Sequence, residues 1–70
     1  MNWPATKAAR VLAALKRIGW REKRRHGSHI ALERPGWSDY VWSAHDKDEI
    51  GPGAFRKYIE KQTGLRPEDL

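Results

Sequence analysis

The 70-residue chain contains no cysteine. Neither a disulfide framework nor a thiolate zinc site can be built from it, and a reducing compartment is permitted. Long apolar runs are missing as well. Nothing in the chain approaches the roughly 20 residues of a membrane span, and the opening MNWPATKAAR lacks the apolar core of a signal peptide. The expectation is a soluble, cytoplasmic protein with no membrane partner. Acids are the minority charge: 9 Asp+Glu stand against 14 Lys+Arg, giving a net charge of +5 and a pI near 10.0. A basic surplus on a small domain favours a polyanionic partner, and nucleic acid is the commonest. The surplus is uneven, because KRIGWREKRRH packs six cations and one acid into eleven residues while the closing RPEDL is acidic.

There is too little chain for two cores, so residues 1–70 are read as one domain, with a core from about residue 6 to residue 65 and frayed termini. TKAARVLAALKRIGW reads as a helix. Thr6 is its candidate N-cap, and Ala8, Val11, Leu12, Leu15 and Ile18 form one apolar stripe. Lys16 and Arg17 suit its last turn, and Gly19 suits the position just past its end. Trp20 to His26 reads as a strand broken by Gly27-Ser28. His29 to Glu33 alternates, with Ile30 and Leu32 on one face and His29, Ala31 and Glu33 on the other. Arg34-Pro35-Gly36 is turn chemistry, and DYVWSAH, residues 39–45, is a third strand. After a polar loop, Gly53 to Thr63 forms a second helix. Phe55 and Ile59 face inward, with Tyr58 as a third candidate. Gly64 closes the helix and Leu65 folds back on it.

The order helix, three strands, helix implies an α+β fold: a three-stranded antiparallel sheet carrying both helices on one face, its other face open to water. The alternation then puts His29 on the open face. In the third strand Tyr40, Trp42 and Ala44 face inward, so Val41, Ser43 and His45 join His29. The first strand has a conflict. If Trp20 faces inward, so do Glu22 and Arg24, at a cost. Either a bulge near Gly27 reverses the phase, or this strand is an edge with little burial. Trp20 and Trp42 read as core, and Trp3 and Trp37 as exposed, Trp37 with the option of stacking on a base or packing against a partner.

The stretch RRHGSHIALER raises the chemical question. His29 could be a fold element, a metal ligand, a nucleic-acid contact or a catalytic group. His26 and His29 have H-x-x-H spacing, but three residues along a strand and turn put them on opposite faces, and no cysteine supplements them. A metal site is therefore not expected, and His26 is read as a plain surface residue.

The pattern GW…R..GSH followed by H.K.EI..G.....I.KQ.GL resembles the HicA-type mRNA interferase toxins, the YcfA-like family. Its carriers here are Gly19, Trp20, Arg24, Gly27, Ser28 and His29, then His45, Lys47, Glu49, Ile50, Gly53, Ile59, Lys61, Gln62, Gly64 and Leu65. The likeness runs from about Thr6 to Leu65. Arg21, Glu22 and Lys23 depart from it, standing where the family's first strand is more apolar. The resemblance implies a double-stranded-RNA-binding-domain-like (dsRBD-like) α-β-β-β-α fold and cleavage of mRNA. It also implies inhibition by a HicB-type antitoxin and a catalytic role for His29.

RNA carries its own nucleophile, the 2′-hydroxyl. Cleavage then needs a proton acceptor, a proton donor and cations around the phosphorus, and no metal or other cofactor. Histidine, with an ordinary pKa of about 6.5, serves as either acceptor or donor near neutrality. His29 is the expected proton-transfer group. Arg24, Arg25, Gly27, Ser28, His45 and Lys47 are the expected RNA-binding set, His45 being a phosphate contact in preference to a second acid–base group. The alternative is a non-catalytic RNA-binding module of the same fold.

Overall fold

The computed structural model describes residues 3–70. A two-residue strand β1 (Thr6–Lys7) leads into helix α1 (Ala8–Arg17). Strands β2 (Arg21–His26), β3 (His29–Glu33) and β4 (Tyr40–Trp42) follow, then the short β5 (Glu49–Ile50). Helix α2 spans residues 52–63 in three continuous segments, Pro52–Ala54, Phe55–Ile59 and Glu60–Thr63. Its middle segment has π-helical turns.

β2, β3 and β4 form the expected antiparallel sheet in sequence order. Ile30, Leu32 and Trp42 point from it into one core shared with Val11, Leu12, Ala14 and Leu15 of α1 and Phe55 and Ile59 of α2. Both helices thus cover the same sheet face, as in a dsRBD-like arrangement. No helix among the described residues is long and apolar enough to cross a membrane. Residues 55, 59 and 63 are all buried at four-residue spacing. A straight α-helix of 3.6 residues per turn would rotate such positions by about 40° at each step. The wider π turns hold them nearer one face and leave Tyr58 outside, exposed.

α1 ends as its sequence requires. The Gly19 N–H donates to the Lys16 carbonyl and the Trp20 N–H to the Leu15 carbonyl, with Gly19 at φ +114°. These are the two bonds of a Schellman motif, which needs a residue tolerant of positive φ. They turn the chain so that Trp20 enters the core, where its indole N–H donates to the Thr63 carbonyl at 3.0 Å. At the far end of α2, Gly64 reverses the chain at φ +75° and Leu65 is fully buried.

The start of α1 differs from expectation. Thr6 is not its N-cap. It pairs with Ile50 in a two-stranded ladder, β1–β5, absent from the sequence reading. The helix N-terminus is satisfied instead from the loop before β5: the Ala8 N–H donates to the Asp48 carbonyl at 2.7 Å and the Ala9 N–H to the Asp46 carbonyl at 3.3 Å. Distant backbone carbonyls do the work that a Thr hydroxyl was expected to do.

Two further corrections concern Trp3 and the C-terminal end, while Trp37 is placed as expected. Trp3 is buried, stacked on Phe55 at 4.4 Å between ring centroids, with its N–H on Glu60. Trp37 is exposed, as expected, and its ring also packs edge-on against Trp20 and under the Arg34 guanidinium. The C-terminal tail, expected to fray, forms a 3₁₀ turn at Pro67–Asp69. The Asp69 carboxylate accepts from the Arg66 N–H, the Asp69 carbonyl accepts from the Arg17 side chain, and Leu70 rests on the core. The first two residues of the chain lie outside the described residues.

Candidate functional site

The β2–β3 hairpin builds the site. Its turn has two central residues, Gly27 at φ +62° and Ser28 at negative φ. This is the type II′ pattern, which matches strand twist and takes glycine first. The turn fixes the register of the strands: His26 lies directly opposite His29, Arg25 opposite Ile30, and Arg24 opposite Ala31.

The register corrects the expectation that His26 and His29 lie on opposite faces. Directly opposed residues of antiparallel strands share a face. H-x-x-H along one strand would separate the rings, but a two-residue turn between the histidines folds the second back beside the first. Both are exposed, on the sheet face away from the helices. No third histidine or carboxylate joins them to make a group of three among the described residues.

The phase conflict of the first strand is resolved at a different residue from the one expected. The bulge is not at Gly27 but at Lys23, between Glu22 opposite Leu32 and Arg24 opposite Ala31. The strand is also an edge, exposed along its whole length, as the second alternative expected. Beyond the bulge, Arg24 shares the open face with His26 and His29, while Arg25 shares the helix-side face with Ile30. The bulge thereby splits the neighbouring arginines between two surfaces.

The second surface is a groove of about 460 Å³ at the hairpin end of the sheet. Arg25, Gly27, Ser28 and Ile30 line it from the hairpin, and Ala44, His45, Asp46 and Lys47 from the loop after β4. β4 stops at Trp42, short of the expected strand to His45. His45 therefore does not stand beside His29 on the open face. It faces the groove from a turn. The His45 N–H donates to the Asp48 carboxylate and the Asp48 N–H to the His45 carbonyl, each at 2.9 Å. The Asp46 and Asp48 carbonyls in turn hold the start of α1. The loop carrying His45 and Lys47 is fixed to the first helix by backbone bonds and closed by one carboxylate. Sequence reasoning missed Asp48. The signal was an aspartate three residues after the histidine in a polar loop, a turn-forming spacing.

Of the expected site residues, the structure brings Arg25, Gly27, Ser28, His45 and Lys47 to the groove, and Arg24 and His29 to the open face. The two surfaces meet at the Gly27-Ser28 turn. Arg25 is engaged by Glu22, whose two carboxylate oxygens it reaches at 3.4 and 3.1 Å. Glu22 also accepts from Lys16 of α1 at 2.9 Å. Hydrogen bonds from Arg25 and then Lys16 hold the Glu22 carboxyl below the usual carboxylate range. Among the described residues, the side chains of Arg24, His29 and Lys47 make no ion pair.

Comparison with known proteins adds one finding. A family model, that of the HicA toxin of bacterial toxin–antitoxin systems, matches residues 8–65. No curated protein and no solved structure matches the chain.

Proposed function

The chain belongs to the HicA toxin family, a toxin of bacterial toxin–antitoxin systems with an antitoxin as its partner, and on that premise we propose that it is an mRNA interferase acting in the cytoplasm. In this reading it is an endoribonuclease that works by histidine acid–base chemistry and is held inactive by a HicB-type antitoxin. The observation that carries the reading is the setting of His29. It is exposed beside a tight turn, with Arg24 on its own face and the groove cations Arg25 and Lys47 around the turn.

A single RNA strand is a chain of phosphates, and the groove and the open face give it cations on both sides of Gly27-Ser28. Neither central residue of the turn has a bulky side chain, so the backbone of a bound strand can approach the hairpin closely. His29 then meets a phosphate whose own 2′-hydroxyl is the nucleophile. Proton transfer by a positioned side chain supplies about 10²- to 10⁴-fold. The cleavage is redox-neutral, consumes no cofactor, and needs no nucleophile from the protein. His45 contacts phosphate from the groove wall.

The test compares induced wild type with His29→Ala for growth arrest and for mRNA integrity in the same cultures. Arrest with degraded mRNA in wild type alone supports the reading. Equal arrest by both without cleavage favours the non-catalytic RNA-binding module. Soluble protein with neither effect overturns both.

A further inference from the structure

Cleavage through the 2′-hydroxyl needs two proton transfers, one at the attacking oxygen and one at the leaving oxygen. Resting on the nuclease reading above, we infer that His26 is the second proton-transfer group, acting as a pair with His29. The register sets the two directly opposite each other across the first rung of the hairpin, on the exposed face. Opposed residues of antiparallel strands have Cβ atoms about 4.5–5.5 Å apart. Two imidazoles on such Cβ atoms flank a space the width of one phosphate group. The turn between them is the shortest that joins antiparallel strands, so little slack separates the rings.

His45, the other histidine near the turn, is placed differently. It lines the helix-side groove with Arg25 and Ile30, whose strand positions face away from His29. The choice between the two falls to His26 by strand phase alone.

The step balances without any outside reagent. One imidazole, neutral, takes the proton of the 2′-hydroxyl. The 2′-oxygen bonds to phosphorus as the bond from phosphorus to the 5′-oxygen breaks. The partner imidazole, protonated, gives its proton to that 5′-oxygen. The products are a 2′,3′-cyclic phosphate and a free 5′-hydroxyl. The pair ends with its proton exchanged between rings and resets through water.

The charged groups that share the face are Arg21 and Arg24 on β2 and Glu33 on β3, with Arg21 opposite Glu33. β4 contributes Val41 and no charge there. The groove beyond the turn adds Arg25, Asp46 and Lys47. Arg24 is the one flanking charge with no opposite charge across its rung, since its partner there is Ala31. It draws phosphate to both rings.

The experiment uses the full chain freed of antitoxin and an oligoribonucleotide containing a site that wild type cleaves. The oligonucleotide is made with oxygen or with sulfur at the bridging 5′ position, because a 5′-thiolate leaves without a proton donor. His26→Ala and His29→Ala should each cleave the oxygen substrate about 10²- to 10⁴-fold more slowly than wild type. Exactly one of them should recover on the sulfur substrate. Binding of a 2′-deoxy analogue, which cannot be cleaved, should be unchanged in both. The rate–pH profile of wild type should have two limbs, and His26→Ala should lose one of them. His26 is exposed, so circular dichroism of the variant should match wild type. Full activity of His26→Ala beside an inactive His29→Ala overturns this inference and leaves the nuclease reading standing. Slow variants of which neither recovers on sulfur overturn the division into acid and base. Intact RNA with wild type itself overturns both readings.

Discussion

Glu22 and Arg25 form an ion pair at 3.1 Å although they stand three residues apart on one strand. Regular alternation would put such residues on opposite faces. They meet because Lys23 is the extra residue of a bulge, which returns both to the helix side of the sheet. A bulge re-aims side chains at a sheet edge, and here it does so twice. It gives Arg25 to the groove under the hold of Glu22 and leaves Arg24 on the face of the two histidines.

This arrangement predicts a pH dependence. The folded-state pKa of Glu22 is depressed by Arg25 and Lys16. A depressed carboxyl stabilises the fold fully above its unfolded pKa of about 4.3 and loses that contribution as pH falls through the lower, folded value. The pair is on the surface, so the effect is small and screened by salt. Thermal melts of wild type and Glu22→Gln at low ionic strength should differ most at pH 6–7, with wild type the more stable. The gap should narrow steadily below pH 4.5 and close in strong salt. A gap independent of pH would show that Glu22 acts through packing and not through charge.

A second prediction concerns Gly64 and Trp37. Gly64 sits at φ +75°, and a Cβ built there would lie 2.8 Å from the outer edge of the Trp37 ring. Gly64→Ala meets two penalties. The left-handed conformation costs a residue with a Cβ about 1–2 kcal/mol, and the ring must shift. A loss of about 2–3 kcal/mol is expected, the contact adding to the conformational term. At about 4–8 °C per kcal/mol for a domain of this size, the melting temperature should fall by about 8–24 °C. Trp37→Ala removes the obstructing ring, so the Gly64→Ala penalty measured in that background should shrink to the conformational term. Equal penalties in both backgrounds would mean that the ring moves aside freely.

Much of this fold was legible because three signals agreed. Val11, Leu12 and Leu15 recur at helical spacing, Ile30 and Leu32 alternate, and glycine marks the chain reversals at residues 19, 27, 36 and 64, all at positive φ. Period and turn chemistry are local properties, and local properties can be read along a chain. What failed was non-local. Trp3 reads as exposed, yet its ring finds Phe55 more than fifty residues away. Thr6 is a good cap by type, but carbonyls from residues 46 and 48 reach the helix first. Counting along a strand puts His26 and His29 on opposite faces, whereas a two-residue turn resets the count. The alternation from Tyr40 to His45 puts His45 on the open face, but the chain leaves the sheet after Trp42 to meet α1. The site's residue types were therefore readable, and their division between two surfaces was not. A single bulge residue and a strand end decide that division, and neither has a strong local signature.

The division itself can be tested with salt. If a single RNA strand contacts both surfaces, its phosphates are neutralised by Arg24 on the open face and by Lys47 in the groove. Each neutralised phosphate releases bound counterions, and for single strands the slope of log K against log salt concentration changes by about 0.7 per contact. Arg24→Ala and Lys47→Ala should each weaken binding of an uncleavable RNA and flatten that slope by about 0.7, and the double variant should flatten it by about twice as much. Arg25→Ala should have a smaller effect, because Glu22 already occupies part of its guanidinium. Titrations from about 50 to 300 mM salt, read by fluorescence anisotropy, give the slopes of wild type and the four variants. A flattening from Lys47→Ala alone would confine the strand to the groove and leave the histidine face outside its path. A flattening from Arg24→Ala alone would confine it to the open sheet. Additive slopes require one strand to pass around the Gly27-Ser28 turn, which brings its phosphates to His29.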